Sequence, residues 1–380
     1  MLVKIENKTP EMGSLYIVYD GAANIETTGT RGLSHLWEHC KCHSYDNINE
    51  ELLAAGIISN AYTSDRNVVY HWTGLDEKIE EFQEKLLQLV NYTPTREEYE
   101  NEKKIVMQEY EDCFSNQNSL FYNVMRKYFN YFGPIGYRED IINSTYEQFI
   151  EWSSTVFAKP HKIIRVGSFD NTKIDELCKT ISFSDVLKKV PFEETTTPSN
   201  EFVESPSTFG RSLMVGDWLT YNTDELSTQD ITVISALLGS GLSSPFYQEI
   251  REKRGLVYYC GTDSEVVDGD TNIWFFYAGC TVDTVNDVRT TMKNIVKNHR
   301  EYVTPTRFEN VIESLRNKIK MSNIANHGRN FVLKFITPDS ELELEYVNSL
   351  TYEDIQHKLD MFSNHLEFLH SADSGETLKI

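Results

Sequence analysis

Three side chains near the start of the chain, His35, Glu38 and His39, have the types and spacing that metal-assisted hydrolysis requires. If this segment is helical, the two histidines lie one turn apart on one face, with Glu38 beside them. Two imidazoles so placed can bind one metal ion, and a carboxylate on that face can reach a water that the ion activates. The pattern predicts a metal centre. The alternative is an amphipathic helix that happens to carry two polar-face histidines.

The order His-x-x-Glu-His is the inverted form of the zinc-peptidase signature, in which the general base precedes the second histidine instead of following the first. Only ten histidines occur among the 380 residues, so a chance match is rare. The segment is therefore a specific indicator of zinc-dependent hydrolysis.

A third ligand is expected from a later helix rich in carboxylates. Thr93 as N-cap and Pro94 at the first helical position predict its start, and it continues at least to Cys113. Glu102 and Glu109 lie two turns apart on one stripe of this helix, and the apolar Ile105 and Val106 beside them would turn that stripe inward. One of the two glutamates is predicted to bind the metal and the other to support the site, but spacing alone does not choose between them.

Composition limits the classes of partner. The 380 residues suffice for two domains, and with 40% apolar and 12% aromatic residues they describe a globular protein without a run long enough to span a membrane. The formal net charge of −22 argues against nucleic acid as a partner, since no basic stripe is present. The first residues lack the apolar core of a secretion signal, so a cytoplasmic location is expected. The six scattered cysteines indicate no disulfide framework.

The positions of the elements follow from periodicity. Strands are predicted at 14–20 and 162–166, a hairpin at 59–74, and a helix over 145–158. Residues 191–210, rich in Pro, Ser, Thr and Glu, predict a linker between a domain at 1–190 and another at 211–380.

The second half of the chain repeats the first. Three stretches recur in the same order at a near-constant offset: Gly32-Leu33-Ser34 as Gly241-Leu242-Ser243, Thr93-Pro94-Thr95-Arg96 as Thr304-Pro305-Thr306-Arg307, and Asn143-Ser144 as Asn348-Ser349. Ordered matches of this kind indicate a duplicated fold. The predicted fold class is α+β: two homologous α/β-sandwich domains, each an antiparallel-rich sheet covered by helices.

The second copy repeats the fold motifs but not the candidate metal ligands. The positions of His35, Glu38 and His39 are taken in the second copy by Ser244, Tyr247 and Gln248. Glu109 corresponds to Lys320, whereas Glu102 corresponds to Glu313, so a carboxylate persists there without the other ligands. This pattern favours Glu109 over Glu102 as the third ligand.

With these motifs the sequence resembles the pitrilysin/insulinase family of zinc peptidases, and in particular its short members that are like the mitochondrial processing peptidase. The resemblance covers nearly the whole chain and is carried by four segments: residues 32–39, 60–64, 102–109 and 241–258. It implies that His35, His39 and Glu109 bind Zn²⁺, that Glu38 is the general base and that Glu102 supports the catalytic site.

The resemblance also implies how substrate binds. Asn60, Ala61 and Tyr62 would form an edge strand that pairs with an extended peptide, and Arg251 and Tyr258 would hold the substrate backbone. The predicted function is a zinc-dependent endopeptidase that hydrolyses peptides or unfolded segments inside a closed chamber. The alternative is a non-catalytic assembly or chaperone subunit of the same fold.

Two further expectations concern assembly and a departure from the family. Because one chain carries only two domains, a homodimer is expected in which the Arg251 and Tyr258 of each chain complete the zinc site of its partner. The alternative is a monomer, or a heterodimer with an inactive relative. After His39 the family continues with apolar residues, whereas here Cys40-Lys41-Cys42-His43 follows. A different metal site using Cys40 or Cys42 with the histidines is therefore an alternative to a plain helix end.

Overall fold

The computed structural model describes residues 1–6, 11–115, 132–168, 172–185, 202–205, 213–222, 226–266, 271–325, 332, 336, 342–364 and 369–373. The chain divides into two compact units. The first consists of Met1–Glu111, Phe132–Pro191 and Asn323–Pro338, and the second of Asp112–Tyr131, Phe192–Ser322 and Asp339–Ile380. Within the described residues, no helix is long and apolar enough to cross a membrane.

The first half of the chain alternates strands and helices. Its described strands are β1 Leu2–Glu6, β2 Met12–Asp20, β3 Ile58–Thr63, β4 Asn67–Leu75 and β5 Lys162–Gly167. Its described α-helices are α1 Leu33–Cys42, α2 Asn49–Ala54, α3 Asp76–Asn91, α4 Arg96–Ser115, α5 Arg138–Asn143, α6 Tyr146–Val156 and α7 Thr172–Lys179. Two 3₁₀ helices, Ala22–Ile25 and His43–Ile48, flank α1.

The first sheet has the strand order β1-β5-β2-β4-β3. Only β1 and β5 run parallel, and the other neighbours are antiparallel, as the sequence predicted. The central strand β2 is buried on both faces, which explains why it lacks a clean polar alternation. Among the described residues, the last strand, β3, pairs with β4 alone and forms an edge of the sheet.

The second half repeats this plan. Its strands are β6 Phe202–Ser205, β7 Leu213–Asn222, β8 Tyr259–Val266, β9 Thr271–Cys280 and β10 Leu369–Asp373. Its α-helices are α8 Thr228–Leu238, α9 Val285–Lys297, α10 His299–Tyr302, α11 Pro305–Ala325, α12 Leu344–Ser349 and α13 Tyr352–Asn364. A π-helical turn, Tyr247–Glu252, and a 3₁₀ turn, Val282–Thr284, complete the described elements.

The second sheet has the order β6-β10-β7-β9-β8, which matches the first sheet strand for strand. The single parallel pair is again the outermost one, β6 with β10. Equal order and equal strand directions in both sheets confirm the predicted α+β fold with a duplicated architecture.

Two details of the domain prediction differ from the structure. Of the predicted linker, residues 191–201 and 206–210 lie outside the described residues, but Phe202–Ser205 form β6 and belong to the second sheet. Val332 and Ile336, from the second half of the sequence, lie in one hydrophobic cluster with Tyr16 and Val18 of β2. The first unit is therefore not confined to residues 1–190, because these two later residues belong to its core.

The predicted start of the carboxylate-rich helix is also corrected. Helix α4 begins at Arg96, and Thr95 rather than Thr93 caps it: the Thr95 hydroxyl accepts the Glu98 N–H at 3.3 Å, and Glu98 accepts the Thr95 N–H at 2.6 Å. This reciprocal pair is a capping box, which requires a threonine followed three residues later by a glutamate. Thr95 and Glu98 have that spacing, whereas Thr93 lies two residues too early.

Candidate metal centre

Helix α1 presents two different faces. Leu33, Leu36, Trp37 and Cys40 are buried at the three- and four-residue spacing of a core-facing stripe, and the Trp37 ring stacks on Phe157 with centroids 4.4 Å apart. The opposite stripe carries His35 and His39. Packing of the apolar stripe thus fixes the direction in which the two imidazoles point.

The start of α1 is fixed by a carboxylate from outside the helix. Glu26 accepts the Gly32 N–H at 2.7 Å and the Ser34 N–H at 2.6 Å, which satisfies two donors that the first turn leaves open. Gly32 has φ of 97°, and a Cβ there would lie 2.8 Å from the Ile141 side chain. Glycine is required at this position for both conformation and space.

The nitrogen atoms of the two histidines and one carboxylate oxygen converge. His35 Nε2 lies 3.2 Å from His39 Nε2 and 3.4 Å from Glu109 Oε2, and the third side of the triangle, from His39 Nε2 to Glu109 Oε2, is 3.6 Å. Two ligands at ~2.0–2.1 Å from a tetrahedral zinc ion are roughly 3.3 Å apart. The three atoms therefore have the separation that one zinc ion needs, with a fourth position left open.

The two candidate carboxylates of α4 occupy different places. Glu109 supplies an oxygen to the triangle, whereas Glu102 lies behind His39 and accepts from its Nδ1 at 3.0 Å. A carboxylate at Nδ1 selects the tautomer whose Nε2 has a free lone pair, the form in which histidine binds metal. Within the same helix Val106 is buried as predicted, but Ile105 is 45% exposed, so the inward stripe is completed by Tyr99 and Tyr110 instead.

The electrostatics of the triangle favour an added cation. Burial lowers the pKa of His35 to about 3, with the neighbouring His39 acting in the same direction, so the imidazole is neutral at ordinary pH. Neutral imidazole and ionised carboxylate are the protonation states that bind metal.

Glu38 is buried next to this triangle. Its Oε2 accepts a hydrogen bond from the Thr63 hydroxyl at 2.7 Å. Burial raises the pKa of the Glu38 carboxyl above its ordinary value, the Thr63 hydrogen bond and His39 oppose that shift, and Glu109 adds to it. A carboxylate with a raised pKa is a stronger proton acceptor, as a general base needs.

An open cleft of about 330 Å³ adjoins the triangle. Asn60 and Ala61 of the edge strand line it together with Glu38 and His39. Tyr62 is half-buried, and its ring packs edge-on to His71 with centroids 6.4 Å apart. Of the three strand residues predicted from the resemblance, two therefore line the cleft, and Tyr62 anchors the strand.

Arg251 and Tyr258 contact each other in the second unit. The Arg251 guanidinium carbon lies 5.5 Å from the centre of the Tyr258 ring and 4.7 Å from that of Tyr247. The Tyr258 side chain is 80% exposed. The pair is thus a preformed, solvent-facing group of a cation and a phenol.

The described residues do not assemble the alternative metal site at the end of α1. Cys40 is fully buried in the core stripe, and burial raises the pKa of the Cys42 thiol to about 12. The ring nitrogens of His43 are engaged by Glu102 and Asp46. Among the described residues, His35, His39 and Glu109 are the one group of three ligand side chains that lie close enough together to share an ion.

Sequence reasoning missed two residues of this site. Thr63 lies in the strand segment that carried the resemblance, but nothing in the sequence places its hydroxyl on Glu38. Glu26 caps α1 from a position six residues before Gly32, where no local capping pattern predicts it. The Thr63 contact depends on tertiary structure, and the Glu26 contacts depend on the conformation of the loop that precedes α1.

Two family models match the chain. One, described as insulinase, peptidase family M16, matches residues 3–133, and the other, described as the peptidase M16 inactive domain, matches residues 161–315. The first match contains the metal triangle and the second contains the positions of Ser244 and Gln248, where ligands are replaced.

Several known proteins are similar over most of the chain. An uncharacterized zinc protease of Rickettsia bellii is 23% identical over 344 residues, which cover 84% of this chain and 82% of the relative. The zinc protease PqqE of Helicobacter pylori is 26% identical over 307 residues, or 73% of this chain and 66% of the relative. The crystal structure of a protease from Helicobacter pylori has the same fold, with a TM-score of 0.81, 18% identity and coverage of 98% of this chain and 96% of that chain.

Proposed function

The chain belongs to the insulinase peptidase family, M16, and from this membership we propose that it is a zinc-dependent endopeptidase acting on peptides or unfolded protein segments. The single observation that carries the proposal is the convergence of His35, His39 and Glu109 at 3.2–3.6 Å, with the buried Glu38 adjacent. The relatives named zinc proteases support the choice of metal.

In this proposal each residue of the centre has one role. His35, His39 and Glu109 hold Zn²⁺, and Glu102 keeps His39 in the binding tautomer. Zinc, when bound, polarises the peptide carbonyl and lowers the pKa of water to roughly 7. Glu38 accepts the proton of the attacking water and later delivers it to the leaving amine. Thr63 holds Glu38 in the orientation that this transfer needs.

Substrate is proposed to bind as an added strand on β3. Ala61 donates its N–H to the side-chain Oδ1 of its neighbour Asn60, at 3.0 Å, so this donor is directed away from β4 and toward the free edge. An extended peptide can replace that local contact with a main-chain hydrogen bond, which suits substrates of varied sequence. The cleft beside Asn60 and Ala61 would receive the residues next to the scissile bond.

We further propose a homodimer in which the Arg251 and Tyr258 of each chain act at the partner's zinc centre. Tyr258 is exposed in the single chain, although a buried aromatic side chain is the common state for a residue of this size. Its contact with Arg251 gives a pair of donors suited to a substrate carbonyl or to the charge that develops on it.

Metal analysis combined with a mixed peptide library tests the proposed function. Protein stripped with a chelator and titrated with Zn²⁺ alone should bind one ion per chain, and library cleavage should appear in proportion to bound zinc. Cleavage that does not depend on metal would contradict the proposal. Stoichiometric zinc without cleavage, or no zinc binding, would favour the non-catalytic assembly subunit.

A further inference from the structure

The hydrogen bonds around Glu102 do not end at His39. The second oxygen of that carboxylate, Oε1, lies 2.9 Å from Nε2 of His43, and the other nitrogen of His43 contacts Asp46. His39, Glu102, His43 and Asp46 thus form one continuous chain of contacts that starts at a residue of the metal triangle and ends at the surface.

The chain of contacts crosses between elements. His43 lies one turn beyond His39, at the point where α1 passes into the 3₁₀ helix His43–Ile48 that carries Asp46. Glu102 comes from α4, far away in sequence. Its side chain is 12% exposed, whereas that of Asp46 is 56% exposed, so the series runs from the interior outward. If the His43 side chain only capped α1, it would contact the backbone of that helix. Instead it contacts the Glu102 side chain of α4.

The orientation of the Glu102 carboxylate depends on contacts to both of its oxygens. An ionised carboxylate can rotate about its terminal torsion, and the hydrogen bond to His39 alone leaves that rotation open. The contact with His43 Nε2 on the other oxygen removes this freedom. His43 in turn is held by Asp46, three residues further along.

We propose that His43 is a positioning residue for the metal centre: it fixes Glu102, which fixes the ring plane and tautomer of His39. The inference rests on the proposed zinc function and adds a residue that supports the zinc ligands indirectly. It assigns a role to His43, the last residue of the segment Cys40-Lys41-Cys42-His43.

Zinc affinity, measured by competition with a chromogenic chelator, tests the proposal without relying on activity. His43→Ala should weaken zinc binding by about tenfold, at the lower end of what changes in groups that support metal ligands cost. His43→Gln places an uncharged N–H near the position of Nε2 and should recover most of that loss. His357→Ala, at an exposed histidine of α13, is the matched control and should bind zinc like the parent protein.

A double-mutant cycle separates positioning from a general loss of structure. If His43 acts through Glu102, then His43→Ala should cost little further affinity in a Glu102→Ala background. Additive losses would overturn the proposal, as would parent-like zinc affinity in His43→Ala. Thermal melting of the chelator-treated, zinc-free proteins shows whether each variant folds. If His43→Ala does not fold, Asp46→Asn replaces it in the test: this variant should keep a native melting curve and show a smaller loss of zinc affinity. Failure of the parent protein to bind zinc would instead defeat the proposed function.

Discussion

Thr63, the last residue of the edge strand β3, donates a 2.7 Å hydrogen bond to Oε2 of Glu38 on helix α1. The strand proposed to bind the peptide therefore also orients the proposed general base. Substrate position and proton transfer are linked by one hydroxyl group, since any shift of β3 moves the donor that holds Glu38.

Thr63→Val should move the pH dependence of cleavage. The hydroxyl favours the ionised form of Glu38, so its removal should raise the pKa of that carboxyl further. Because the base must be ionised, the acid limb of kcat/KM should shift to higher pH and activity near neutrality should fall. Thr63→Ser keeps the hydroxyl and should retain the parent profile. An unshifted acid limb in active, zinc-loaded Thr63→Val would show that the contact does not tune the base.

His35→Ala and Glu109→Ala should each lose stoichiometric zinc, because either change leaves two of the three ligands. Glu102→Ala should retain zinc with an affinity lower by roughly 10–100-fold, as expected for a group that supports a ligand. Glu100→Ala, at an exposed position of the same helix, is the control. Metal analysis after equilibrium dialysis distinguishes these cases. Full zinc occupancy in Glu109→Ala would show that the third ligand is misassigned.

Ala61→Pro should weaken substrate binding and leave the metal in place. Proline removes the outward N–H of β3 without removing a donor to β4, and edge strands tolerate it at such positions. KM for extended peptides should rise while zinc content stays at the parent level. Ala61→Ser, which keeps the N–H, should behave like the parent. Equal KM values for the proline variant would argue against strand addition at this edge.

Mixing Glu38→Gln chains with Tyr258→Phe chains tests completion of the site in trans. In a mixed dimer one site lacks both groups and the other has both, so two nearly inactive parents should regain about a quarter of the native activity after full exchange. Subunit exchange is verified by mass spectrometry of tagged chains. Absence of recovery after verified exchange, or a monomer at working concentration, would contradict the dimer.

The sequence predicted what depends on local spacing. The interval between His35 and His39 indicated a shared helical face, and ordered repeats such as Thr93-Pro94 and Thr304-Pro305 indicated the duplicated fold, which the strand orders confirm. At the helix start the same local pattern misled, because Thr93-Pro94 looks like a cap while Thr95 and Glu98 form the actual capping box.

Contacts between distant elements could not be predicted in the same way. Glu102 and Glu109 have equivalent spacing on one stripe, so spacing did not choose between them. The duplicated half of the sequence favoured Glu109, and its oxygen meets the histidines through the packing of α4 against α1. The contacts of Thr63 with Glu38 and of His43 with Glu102 join residues far apart in sequence, and no local pattern marks them. Such hydrogen bonds can be identified only when the three-dimensional arrangement of the sheet and helices is known.

In the proposed function, His35, His39 and Glu109 hold Zn²⁺ and Glu38 is the general base of peptide hydrolysis. The most direct measurement is zinc content together with library cleavage for Glu38→Gln, using Glu100→Gln as the matched control. An amide keeps the shape of the side chain but cannot take the proton. We expect full zinc occupancy, a parent-like melting curve and a loss of cleavage of at least about 100-fold. Cleavage within a few-fold of the parent in the zinc-loaded Glu38→Gln protein would show that Glu38 is not the general base.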